Sequence, residues 1–186
     1  MNTAVRDRPV ASAASKVQAE DGVQYLTFML AGEMFAIGIL AIKEIIEFQT
    51  LTEVPMMPPC VRGVINLRGA VVPVMDMLAR FGRRTPPVTK RTCIVIMEVE
   101  SEGEHQVVGV IVDAVSEVLD IAPSDIQPPP TFGAGVRTDF ISGMGRIKEK
   151  FVILLDINRV IAIDEIGGLL ESNAAIAAER PMALAA

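Results

Sequence analysis

Arg62 to Asp76 reads RGVINLRGAVVPVMD, a strand from Val61 to Leu67, a tight turn at Arg68-Gly69 and a second apolar strand from Ala70 to Met75 that ends on aspartate. A degenerate copy, ISGMGRIKEKFVILLD, runs from Ile141 to Asp156. Setting Gly63 against Gly143 brings Asp76 onto Asp156 without a gap. A second pair of segments extends the repeat: Ala36 to Ile46 matches Gly109 to Leu119 in polarity class at ten of eleven positions, with Glu44 on Glu117 and Ile42 on Val115. The chain is therefore a duplication, and function is expected where the copies differ. They differ most at the turn, where Asn66-Leu67-Arg68-Gly69 faces Arg146-Ile147-Lys148-Glu149.

Working outward, Tyr25 to Leu30 and Met34 to Ile37 predict a β-hairpin around Ala31-Gly32-Glu33. Ile39 to Ala41 predicts a helical turn passing into a strand over Ile42 to Phe48. Glu53 to Pro59 is too rich in proline for either element and predicts a loop. Met77 to Gly82 reads as a helical turn stopped by glycine, and Arg83, Arg84, Pro86 and Pro87 as a linker. Thr92 to Val99 and Val107 to Val112 predict a second hairpin, with His105 at its polar tip. Each half then carries about five short strands. Closing each set into a small barrel would hide the sheet edges, so the expected fold is all-β: two tandem five-stranded barrels around a shared apolar core, with short helical turns. The expected divisions are a disordered leader over 1–22, a folded region over 23–165 split near residue 90, and a C-terminal helix or tail over 166–186.

Composition narrows the function. The 186 residues are 51% hydrophobic, with no tryptophan and a single tyrosine, so Val, Ile, Leu and Met must build the core. A formal net charge of -6 argues against a general nucleic-acid binder. The first residues lack the apolar run of a secretory signal, and no stretch reaches eighteen uninterrupted apolar residues, which predicts a cytosolic protein. Cys60 and Cys93 lie far apart and the sole histidine sits among polar residues, so neither a metal nor another cofactor is expected. No phosphate-cradling glycine loop is present. Asp76 and Asp156 hold equivalent positions ahead of helical turns, which suits helix capping better than catalysis.

An enzyme therefore has little support, and protein binding remains. A chain this apolar leaves hydrophobic surface exposed, and such patches mark interfaces. Arg68 stands out because a planar guanidinium pairs with carboxylates and stacks at interface hot spots. The alternative reading of a different class is a small barrel that binds an apolar ligand, suggested only by the Met- and Val-rich interior.

Gly63 to Gly69 followed by Val71 to Asp76, together with Phe35-Ala36-Ile37, Gly109 to Asp113, Val115 to Leu119, and Ile126 with Pro128, resembles the CheW family of bacterial chemotaxis coupling proteins. The likeness runs from about Gln24 to Glu165. It implies SH3-like barrels and an adaptor without enzymatic activity. Family members bridge the cytoplasmic hairpin tips of methyl-accepting chemoreceptors and the regulatory domain of the histidine kinase CheA, on the inner face of the membrane. Carried over by motif, the resemblance places Arg68, Asn66 and Gly69 at the receptor surface with Ile42 and Glu44 on the facing turn. Gly109 and Val118 would line a groove for a receptor helix, and Gly63 would lie where the kinase pairs. A related chemosensory pathway, controlling twitching motility or second-messenger synthesis, would use the same adaptor. The leader and the Ala-rich tail lie outside the resemblance.

Overall fold

The computed structural model describes residues 22–101, 103–131 and 138–162. The leader and the C-terminal helix or tail expected from the sequence lie outside the described residues, apart from Gly22. The strands are β1 (Val23–Leu30), β2 (Glu33–Gly38), β3 (Ile42–Glu47), β4 (Val61–Leu67), β5 (Ala70–Asp76), β6 (Cys93–Ser101), β7 (Glu104–Val112), β8 (Ala114–Ile121), β9 (Ile126–Gln127), β10 (Ile141–Ile147) and β11 (Lys150–Leu155). Two single-turn helices, α1 (Met77–Arg80) and α2 (Ile157–Val160), follow β5 and β11. A 3-10 turn over Ile39–Ala41 passes into β3. His105 is not at a hairpin tip: it pairs with Glu100 inside the β6–β7 ladder, whose last pair is Ser101 with Glu104.

The strands form a six-stranded sheet, ordered β8-β1-β2-β11-β10-β9, and a five-stranded sheet, ordered β3-β6-β7-β5-β4. This corrects the expectation of two tandem five-stranded SH3-like barrels. Neither hydrogen-bonded order returns to its first strand, so neither sheet closes. Nor do the sheets divide the chain near residue 90: β6 and β7 join β3 to β5, whereas β1 and β2 join β8 to β11. Each hairpin finds its place through one parallel pairing, β2 on β11 and β7 on β5. The segments Ala36–Ile46 and Gly109–Leu119, matched in sequence, are the two places where the chain leaves one sheet for the other. Duplication is thus real, but each copy lends its partner a hairpin.

Packing explains the unbroken apolar runs Cys93–Met97 of β6 and Val107–Val112 of β7. Val95, Met97, Val99, Val108, Val110 and Val112 face a large cluster shared with Leu26, Phe28, Leu30, Phe35 and Ile37 of the other sheet. Ile94, Ile96 and Ile111, on the opposite face, join Ile65, Val72 and Val74 in a second cluster. Strands covered on both faces lose the alternation of half-exposed ones. A third cluster, of Ala36, Ile121, Val152 and Leu154, fills the concave side of the six-stranded sheet. Stacked rings run through the shared layer, from Phe28 to Phe35 at 6.3 Å, Phe35 to Phe81 at 6.0 Å and Phe81 to Phe140 at 5.2 Å between centroids. Burying each such side chain contributes roughly 1.5–3 kcal/mol.

The two equivalent aspartates cap the two helical turns. Asp76 Oδ1 accepts from the Ala79 N–H at 3.1 Å, and Asp156 Oδ1 accepts from the Arg159 N–H at 3.3 Å. Their surroundings differ. The Asp76 side chain is 3% exposed, and its Oδ2 accepts from Arg62 Nη1 at 3.2 Å and from the Thr85 hydroxyl. Asp156 is 35% exposed and pairs with Arg159 at 3.4 Å. Losing a cap costs about 1 kcal/mol, and leaving buried partners unmatched adds about 1–3 kcal/mol. Asp76→Ala is therefore expected to lower unfolding free energy by about 2–4 kcal/mol, and Asp156→Ala by about 1 kcal/mol, in urea titration. Equal losses would refute the difference in burial as the cause.

Candidate functional site

The open side of the five-stranded sheet lies between its edge strands β3 and β4. A type I′-like hairpin turn at Arg68-Gly69 crosses toward this gap, with φ of +52° and +90° at its two central residues. Glycine supplies the second of these without steric cost, and Asn66 Oδ1 secures the turn by accepting the Gly69 N–H at 2.8 Å. The turn delivers the Arg68 guanidinium onto Glu44 of β3 as a fork, Nη1 to Oε1 at 2.9 Å and Nη2 to Oε2 at 2.8 Å. Farther along the gap, the Thr52 and Val64 backbones exchange hydrogen bonds of 2.9 and 2.8 Å. A bidentate ion pair thus ties the β4–β5 turn to β3, and one isolated bridge ties the segment that follows β3 to β4.

The pair is open to solvent, with the Arg68 side chain 77% exposed and that of Glu44 26%. Two exposed apolar side chains occur near it in the chain: Ile45, which follows Glu44 and so points to the opposite face of β3, and Val71, which pairs with Asn66 across the hairpin. Neither was singled out in the sequence, where each reads as one more apolar residue of a strand. A cue for Val71 is its position two residues after a turn, opposite an asparagine. Ile42 packs its half-buried side chain against the shared cluster. On the same strand, Lys43 hydrogen-bonds Glu98 at 2.9 Å and holds that carboxyl below the usual carboxylate range.

The structure therefore brings Arg68, Glu44, Asn66 and Gly69 together, with Ile42 on the same edge strand as Glu44. It does not bring Gly109 to them. Gly109 is buried in β7, where an added Cβ would sit 2.8 Å from Ile94 Cγ2 and 3.2 Å from Val74 Cγ2, so its smallness serves the interior of the five-stranded sheet. Val118 lies on β8, at the edge of the six-stranded sheet, half exposed and paired with Leu26. Gly63 is buried in β4 at φ +147°, and a Cβ there would press on the Thr52 carbonyl, 2.9 Å from its carbon. Its bareness is needed for the Thr52–Val64 bridge.

Among the described residues, no group of three or more His, Cys, Asp and Glu side chains is placed to hold a metal ion. Burial raises the Cys60 thiol above its ordinary pKa, with the nearby Arg80 charge pulling the other way. A thiol held neutral is a poor nucleophile. What the residues form here is a charged hairpin tip at the surface, held by the Asn66–Gly69 hydrogen bond and the Arg68–Glu44 pair.

A CheW-like domain model matches residues 24–165. The chain is 34% identical over 152 residues to the chemotaxis protein CheW of Rhizobium meliloti, covering 82% of this chain and 96% of that one. It is 32% identical over 152 residues to the chemotaxis protein CheW of Klebsiella aerogenes, covering 81% and 89%. The crystal structure of the scaffolding protein TtCheW from Thermoanaerobacter tengcongensis superposes with a TM-score of 0.66 at 32% identity, over 75% of this chain and 87% of that one. The domain match spans nearly all of the described strands and the relatives are covered over most of their length, so the chain belongs to the CheW family of chemotaxis adaptor proteins.

Proposed function

We propose that this chain is a non-enzymatic scaffold coupling the cytoplasmic hairpin tips of methyl-accepting chemoreceptors to the regulatory domain of CheA, and that receptors dock on the Arg68 hairpin. Family membership supports the adaptor role. The observation that carries the site is the exposed Arg68–Glu44 fork at the tip of a hairpin that also exposes Val71. An arginine already extended and oriented by a carboxylate loses little freedom when a partner arrives, and arginine next to apolar surface is a common hot-spot composition. A receptor helix would rest an apolar side chain on Val71 and offer a carboxylate to the guanidinium. Val118 and Gly63 belong to this reading as a second receptor contact and a kinase contact, and Gly109 acts through packing beneath the surface. An apolar-ligand barrel is disfavoured, because Val74, Ile94 and Ile96 fill one interior and Ile121, Val152 and Leu154 the other.

No helix among the described residues is long and apolar enough to cross a membrane. On the adaptor reading the protein sits on the cytoplasmic side, recruited to receptor arrays through its partners.

Co-sedimentation with receptor signalling fragments and CheA tests the function: the chain is expected to pellet with both, and failure with either refutes the coupling role. For the site, an exposed ion pair contributes about 0–1 kcal/mol to folding, so Arg68→Glu should leave the thermal midpoint nearly unchanged. Receptor binding should weaken by about 2 kcal/mol or more. The double variant Glu44→Arg with Arg68→Glu restores the internal pair with reversed polarity. If it also restores binding, Arg68 holds the hairpin and does not touch the receptor. Gly63→Ala, strained by both φ and the Thr52 contact, is expected to cost about 1–3 kcal/mol of stability by thermal melting. CheA capture that survives in the folded variant would leave Gly63 an architectural residue only.

A further inference from the structure

A cavity of about 300 Å³ lies where the two helical turns meet, lined among the described residues by Arg80 and Phe81 at the end of α1, Phe140 ahead of β10, and Arg159 and Val160 of α2. Phe81 and Phe140 end the column of stacked rings that runs out of the shared layer, and both are only half buried. Arg80 ties the two turns together, its Nε donating to the Val160 carbonyl at 2.9 Å. Arg159 pairs with Asp156 at 3.4 Å and donates from Nη1 to the Asp139 carbonyl at 3.2 Å. The ring column thus opens into a hollow whose described lining holds two guanidiniums and no carboxylate.

The described residues end at Ala162, two positions beyond Val160 in the cavity wall. Residues 163–171 read IDEIGGLLE, with four large apolar side chains, three acids and no base. Three extended residues span about 10 Å and nine about 30 Å, so this stretch starts within reach of the cavity. A tether that short holds it there at an effective concentration on the order of millimolar, which any ligand from solution has to exceed. The other terminal stretch suits the hollow less. Residues 1–21 contain no Ile, Leu or Phe, and they bring Arg6, Arg8 and Lys16 toward a lining that is already cationic.

We propose that residues 163–171 of the same chain dock in this cavity, with Ile166, Leu169 and Leu170 covering the Phe81 and Phe140 rings and with Asp164 and Glu165 at the arginine rim. Burial of half-exposed aromatic surface drives the contact. The tether removes most of the entropic cost of association, so a small apolar contact suffices. Charge is the weaker selector, because Arg159 already has Asp156. Since α1 ends the first copy of the repeat and α2 the second, the docked segment braces both copies. The assignment does not depend on the Arg68 site or on either partner.

Nuclear Overhauser spectroscopy on the full chain, with labelled methyl groups and aromatic rings, tests it. Contacts are expected from the methyls of Ile166, Leu169 and Leu170 to the rings of Phe81 and Phe140. The full-length variant Ile166→Ser, Leu169→Ser, Leu170→Ser should shift the resonances of both rings and lower the melting midpoint by about 4 °C or more. Asp164→Lys with Glu165→Lys should shift the same rings with a smaller loss of melting temperature. No methyl-to-ring contact overturns the proposal, as does a variant of either kind that leaves ring shifts and melting as they were. Contacts to the rings from residues 1–21 also overturn it. So do contacts that appear only between labelled and unlabelled chains in a mixed sample, which would make the occupant a second copy.

Discussion

Burial of the β1–β2 and β6–β7 hairpins between two sheets is the constraint on which the remaining architecture depends. These strands carry apolar side chains on both faces, and each face needs its own cover. The shared layer serves one face and the concave side of each sheet serves the other. A hairpin buried on both sides cannot sit at an outer edge, and each one is accordingly flanked on both sides within its sheet. The exposed, charged strands are left for the edges. β3 presents Lys43 and Glu47 to solvent there, which blunts edge-to-edge association.

Leaving the sheets open has a consequence for the surface. A closed barrel would bind β3 to β4 by a full ladder and bury the groups between them. Here the Arg68–Glu44 fork spans the gap, and a single backbone bridge holds β4 to the segment that follows β3, so a charged, bidentate group stands at the surface in a defined orientation. Gly63 permits the bridge and Gly69 permits the turn, which makes two glycines the local conditions for displaying one arginine. The duplicated turn has Lys148 at φ +56° in the equivalent place, and there the neighbouring Arg146 pairs with Asp125 at 3.4 Å. Similar backbone with different side chains is what divergence after duplication produces.

The strand limits around Arg68-Gly69, the capping roles of Asp76 and Asp156 and the register of the repeat were all legible in the residues, because each depends on neighbours close in the chain. The exchange of hairpins was not. A polarity pattern looks the same whether a hairpin packs on its own half or on the other copy, and the parallel pairings that distinguish them join residues far apart in sequence. The difference between the two capping aspartates was hidden for the same reason: Thr85 reaches Asp76 from a linker that reads only as proline-rich and basic.

For the site, motif resemblance named Arg68 and Glu44, and the turn chemistry of Asn66 and Gly69 follows from their types. That Arg68 and Glu44 grip each other follows from how the sheet curves, since β3 and β4 stand at opposite ends of its hydrogen-bonded order. Gly109 illustrates the opposite case, a residue named for a surface that proves to be part of an interior. Periodicity, turn residues and duplication are local and short-ranged, so the chain alone specified strands, turns, caps and the family. Which hairpin joins which sheet, which edges stay open and which charges meet across them depend on long-range packing, where burial of both faces of the central hairpins outweighs adjacency in the chain.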